Sequence, residues 1–135
     1  MVRDRLMHLG ILWLRVLTGL GAAYHGYGKV LGGRMDKFAQ GVSEMGFPAP
    51  GLFAWAAALS EFAGGIMLMF GIGARIAALF LFLTMSVAFF IRHRLDPLKV
   101  KELSLAYWTI SGALLMTGPG KWSLDHLLFG KNHRS

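Results

Sequence analysis

Residues 55–70 read WAAALSEFAGGIMLMF, and Glu61 sits near the centre of this almost wholly apolar run. An ionised carboxylate in the middle of a hydrocarbon-soluble segment is costly, so it needs a partner or a wet cavity. The other charge at comparable depth is Arg15, in the middle of the first apolar run. Opposite charges at matching depth predict an Arg15–Glu61 ion pair. It would either fix helix register, or bind a polar head group or relay protons, with the guanidinium holding the carboxylate ionised. Because ionisable groups inside a membrane usually mark function, Arg15 and Glu61 are the candidate catalytic residues.

A second group lies toward one end of the apolar runs. His25 follows Arg15 by ten residues, roughly 15 Å along a helix, and Lys29 is one turn further if that helix continues. Tyr24, Tyr27, His93, Glu102 and Tyr107 belong to the same end. These residue types hold and protonate a quinone or phenolic head group. The competing reading is an ordinary interface of anchoring aromatics and snorkelling bases. His25, Lys29, Tyr24 and Glu102 are the candidate binding residues. Near the C-terminus, Ser123-Leu-Asp125 reads most simply as a helix cap. No metal site is predicted: His25 and His93 fit no haem motif, and no Met–His cluster accompanies Met67, Met69 and Met85. Gly71-Ile-Gly73 is a turn rather than a nucleotide loop, since no strand precedes it. The absence of cysteine excludes disulfides, thiol redox chemistry and iron–sulfur clusters.

The elements that must position these residues follow from composition. The chain has 135 residues, 55% of them hydrophobic and only 16% charged, with mean hydropathy +0.52. Soluble domains carry about 25% charged residues, so this is an integral membrane protein. Apolar runs at 6–26, 51–70, 74–91 and 103–117 predict an all-α bundle of four transmembrane helices in one domain. Arg15 interrupts any signal-peptide core. Between the first two runs, Met35, Phe38, Ala39, Val42 and Met45 recur at helical spacing, which predicts a short amphipathic helix lying in the interface. Gly46-Phe-Pro-Ala-Pro-Gly51 then breaks the chain, and a second weakly amphipathic segment lies at 122–129. Thr84, Ser86 and Ser111 fall near mid-span in the third and fourth runs. Small residues flank the charges (Thr18, Gly19, Ala22; Ala57, Ala58, Gly64, Gly65), and such faces point inward.

The net charge of +7 sits at the ends of the apolar runs, which suits anionic headgroups rather than nucleic acid. Four spans put both termini on one side, and the Lys and Arg split does not orient them. The terminal side carries Arg3, Arg5, Arg75, Lys121, Lys131 and Arg134. The opposite side carries Lys29, Arg34, Lys37, Arg92, Arg94, Lys99 and Lys101. The usual dominance of the first helix favours termini inside.

The order Arg15, His25-Gly26-x-x-Lys29, Gly46-Phe-Pro, Glu61-Phe-Ala-Gly-Gly65, Gly118-Pro-Gly120 and Ser123-Leu-Asp125 resembles the DoxX family of small membrane proteins over nearly the whole chain. The resemblance implies a four-helix bundle in a prokaryotic cytoplasmic membrane, associated with redox chemistry. Relatives of that family include the membrane subunit of an archaeal thiosulfate:quinone oxidoreductase. It also carries Arg15, His25, Lys29, Glu61 and Asp125 across as site positions. The expected function is a quinone-interacting subunit of a membrane oxidoreductase; the alternative is a non-catalytic scaffold or assembly factor. The cofactor is not legible. Without cysteine, electrons would come through a bound quinone, flavin or haem, or from a soluble or membrane redox partner. A homo-oligomer is left open, since only an oligomer of such short spans would enclose a transport path.

Overall fold

Residues 2–30 hold no proline, and the first helix runs through both expected ends, as α1, Val2–Val30. The computed structural model describes residues 2–130, and no strand occurs among them. Gly33, with φ +78, lies in the turn leading to α2, Met35–Glu44. Pro50, whose fixed φ suits a first helical turn, opens α3, Pro50–Phe70. Gly71 ends it in the left-handed conformation (φ 72), its N–H and that of Ile72 both donating to the Met67 carbonyl. After this turn α4 spans Ala74–Val87 and continues into a π-helical turn, Ala88–Arg92. Pro97 precedes α5, Leu98–Thr117. Ser123 accepts the His126 N–H and caps α6, Leu124–Phe129.

Three helical segments are long and apolar enough to cross a membrane: Val2–Val30, Pro50–Phe70 and Ala74–Arg92. The helix expected at 103–117 begins five residues earlier, so α5 opens with Lys99, Lys101 and Glu102.

The surface is apolar and the interior partly polar, the reverse of a soluble domain. Trp13, Leu17, Leu20, Leu79, Phe80 and Leu83 are exposed, while Arg15, Thr18, Glu61 and Ser111 are buried. Where the surroundings are hydrocarbon, apolar side chains need no hiding and polar ones do. The helices therefore meet through small residues. Thr18, Ala22 and Gly26 repeat every four residues on α1, and Ala54, Ala58, Glu61, Gly65 and Leu68 follow a three-and-four spacing on α3. A methyl placed on Gly65 would lie 2.5 Å from the Gly19 carbonyl oxygen and from the Ala23 nitrogen. Gly26 likewise lies against the Phe62 backbone. On the other side, α4 and α5 pack through Phe82 stacked on Trp108, whose indole N–H donates to Ser86 Oγ at 3.0 Å. The predicted stripe of α2 is buried or half-buried throughout, with Val42 deepest, and it faces α3.

This geometry separates two glycines of the same helix type. Gly65→Ala should lower the stability of the detergent-solubilised protein by about 1–3 kcal/mol, because the methyl meets backbone. Gly10→Ala, with nothing within 4 Å of the added carbon, should be neutral or raise stability by up to about 1 kcal/mol through helix propensity. Thermal melts of the two variants check the opposite signs.

Candidate functional site

Glu61 is 5% exposed, and the residue that reaches it is Lys29. The ammonium lies 2.9 Å from both carboxylate oxygens. Helix α1 continues past Gly26, so Lys29 stands one turn beyond His25 on the same helix, opposite Glu61. The Phe38 ring of α2 lies 4.1 Å from the same nitrogen, a cation–π contact that covers the pair from above. An ammonium has three N–H donors. Two are directed at Glu61, and one remains for a third acceptor.

The expected Arg15–Glu61 pair does not form. Gly19 lies against Gly65 and Gly26 against Phe62, and this antiparallel register brings Lys29, not Arg15, level with Glu61. Arg15 is displaced from Glu61's level by about 12 residues, roughly 18 Å along the axis. It lies instead beside the Gly71 turn, 2% exposed. There its Nε donates to the Leu68 carbonyl at 2.7 Å, one Nη to the Pro119 carbonyl and the other to the Trp122 carbonyl at 2.8 Å. The guanidinium satisfies one carbonyl in the last turn of α3 and ties the 118–122 turn to it, which a cation does well at that end of a helix dipole. Asp125 works beside it. Its two oxygens accept from the Gly73 and Ala74 N–H groups at 2.8 and 2.9 Å, and its own N–H donates to the Gly71 carbonyl. It caps α4 rather than its own helix, which Ser123 caps. Arg15 and Asp125 therefore both bond backbone at the end of the molecule away from Glu61.

Two cavities flank the Lys29–Glu61 pair. The larger, about 540 Å³, is mainly apolar. It is walled by Phe53, Ala57, Phe80, Leu83 and Thr84 and roofed by Phe38, Val42 and Met45 of α2, with Lys29 and Glu61 lining it. The smaller, about 200 Å³, carries His25, His93, Ser104 and Tyr107 together with Lys29 and Glu61. The pair is thus the shared wall between a mainly apolar cavity and a smaller, more polar one. The π-helical turn borders both through Ala88, and His93 beyond it lines both. Wide turns of this kind often occur at functional sites.

Of the predicted binding residues, Lys29 and His25 line these cavities. The His25 ring stands edge-on to Tyr107 with centroids 6.3 Å apart. Tyr24 is 75% exposed, pointing away from them, and Glu102 is exposed and lines neither. Sequence reasoning missed the roles of Phe38 and of Arg92, whose guanidinium meets Glu44 of α2 at 3.3 Å. The stripe of α2 held the signal for Phe38. The Arg92–Glu44 contact has no local signature. Because Lys29 and Glu61 are partners, Lys29→Met and Glu61→Leu should each cost about 3–5 kcal/mol, and the double variant less than their sum by about 0.5–3 kcal/mol. Arg15→Leu and Glu61→Leu, which share no partner, should add to within about 0.5 kcal/mol in the same melts.

A sequence profile described as DoxX matches residues 10–94, a span that includes Arg15, Lys29 and Glu61. The chain is also similar to "Inner membrane protein YqjF" of Escherichia coli (strain K12). The two are 32% identical over 129 residues, 92% of this chain and 95% of that protein. No solved structure matches significantly. With an all-helical fold, an apolar exterior and three helical segments able to span a bilayer, the chain belongs to the DoxX family and is a multi-pass protein of the prokaryotic cytoplasmic membrane.

Proposed function

We propose that this chain binds a membrane quinone beside Lys29 and Glu61 and serves as the quinone-interacting subunit of an oxidoreductase complex. In this reading α1, α3, α4 with its π-helical turn, and α5 are four spans of a single domain, and α2 lies in the interface as a roof. The observation that carries it is a fully formed ion pair, its carboxylate buried and its ammonium partly so, set into the wall of a mainly apolar cavity of about 540 Å³. Sites for small hydrophobic ligands have this composition and a volume of about 300–1,000 Å³, with few polar groups that fix orientation.

The chemistry assigns roles by reach. A quinone carbonyl would accept the remaining Lys29 N–H, and the apolar walls would hold the ring and the start of its tail. Reduction of a quinone to a quinol takes two electrons and two protons. Glu61, ionised in the pair, would take up each proton from the cavity holding His25, His93 and Tyr107 and pass it to the ring oxygen. The electrons would come from a partner protein or from a flavin or haem held with it. Arg15 and Asp125 have a structural part here, keeping α1, the α3–α4 turn and α6 together beneath the site.

Purification in mild detergent followed by solvent extraction and mass spectrometry should recover quinone. Binding of a short-chain quinone should weaken by about tenfold or more in Glu61→Gln, as expected for loss of a charge-assisted contact. Ala57→Phe, which fills the cavity without touching a charge, should weaken it similarly, and the lipid-facing Tyr24→Phe should leave it unchanged. Absence of co-extracted quinone, together with equal weak binding by the wild type and Glu61→Gln, would sink the reading. Recovery of an intact partner complex with both Glu61→Gln and Lys29→Met would then favour a scaffold.

A further inference from the structure

A second groove lies at the opposite end of the molecule, where the start of α1, the first turn of α4, the 118–122 turn and α6 converge. It encloses about 540 Å³ and plays no part in the Lys29–Glu61 site. Arg75, Lys121, His8 and His126 supply its polar lining, and Ile76 and Phe129 its apolar lining. A smaller pocket shares His8 and Lys121 and adds Asp4, Arg5 and Trp122. The ion pairs among the described residues are Lys29–Glu61, Arg92–Glu44 and His93–Asp96. Arg75 and Lys121 belong to none of them. The carboxylate within the groove, Asp125, already has both oxygens on the Gly73 and Ala74 N–H groups.

The histidine adds a donor. His8 Nδ1 accepts the Lys121 backbone N–H at 3.2 Å, which leaves Nε2 as the ring's N–H donor. Arg75 lies beside Gly118, where an added carbon would be 3.0 Å from its Nε. Ile76 and Phe129 are each 60% exposed, and Ile76 continues along α4 into exposed Leu79, Phe80 and Leu83. Cationic donors therefore sit directly at the edge of the lipid-facing surface.

We propose that this groove binds the phosphate of an anionic phospholipid, with Arg75 and Lys121 on the phosphate and Ile76 and Phe129 against the acyl chains. Basic pockets at the ends of membrane helices take such headgroups, and each nearby cation adds to the attraction. An acidic soluble segment fits less well, because the apolar part of the lining is continuous with the hydrocarbon-facing wall.

Native mass spectrometry tests this with dioleoylphosphatidylglycerol and dioleoylphosphatidylcholine as probes. The wild type should retain the anionic lipid about tenfold or more over the zwitterionic one. Arg75→Gln with Lys121→Gln should bring the two to near parity. Arg94→Gln with Lys99→Gln, the same charge change at exposed positions on the other end, should keep the preference. If circular dichroism shows the first double variant misfolded, the exposed Lys121→Gln alone should still reduce the preference severalfold. Parity in the wild type, equal loss in both double variants, an unchanged preference in a folded Lys121→Gln, or full displacement by millimolar inorganic phosphate would each overturn the proposal. So would capture of an acidic protein at the groove without lipid selectivity.

Discussion

The backbones of α1 and α3 touch, and the rest of the molecule is arranged around that contact. Gly19, Ala23 and Gly26 on one helix and Phe62 and Gly65 on the other leave no room for side chains between them. In hydrocarbon there is little hydrophobic drive to bring two apolar helices together, so close van der Waals approach between small residues does the work. Such an approach permits one register only. A slide of a single turn would set a methyl or a ring against main chain. The register in turn decides which charges can meet.

Two polar layers result, each closed by different chemistry. At one level an ammonium and a carboxylate neutralise each other beneath an aromatic ring, with cavities on either side. At the other, a guanidinium and a carboxylate never touch one another. Each instead completes the hydrogen bonding of helix ends, Arg15 on carbonyls and Asp125 on N–H groups. Backbone groups left unsatisfied in lipid cost several kcal/mol each. The second layer's charges are taken up by backbone groups, whereas the first retains an unassigned donor and adjacent volume.

Much of the fold was legible because its signals are local. The apolar runs, the α2 stripe from Met35 to Met45, the Gly71 turn and the Ser123 cap each depend on neighbours within one or two turns. The pairing of charges was not, since it depends on where two helices start relative to one another. Centring the runs on a common plane matched Arg15 with Glu61. In the structure α1 extends to Val30, and the glycine contacts shift the level by roughly 18 Å. The small-residue faces pointed inward as their types required, but which glycine meets which lay beyond any single run. Lys29 was singled out by its type and Asp125 by the family resemblance. That Lys29 would be the partner of Glu61, and that Asp125 would cap a helix other than its own, emerge only in three dimensions.

The five residues after Val87 wind more widely than an α-helix, and the His93 N–H donates to the Ala88 carbonyl five positions back. Each residue of an α-helix turns the chain by about 100°. One residue more or fewer before this point therefore rotates everything that follows by more than a quarter of a revolution. Arg92 toward α2 and His93 between the two chambers owe their directions to that extra winding. The bundle thus holds a rotational offset that side-chain exchange cannot imitate, and the aim of both side chains depends on chain length as much as on residue type.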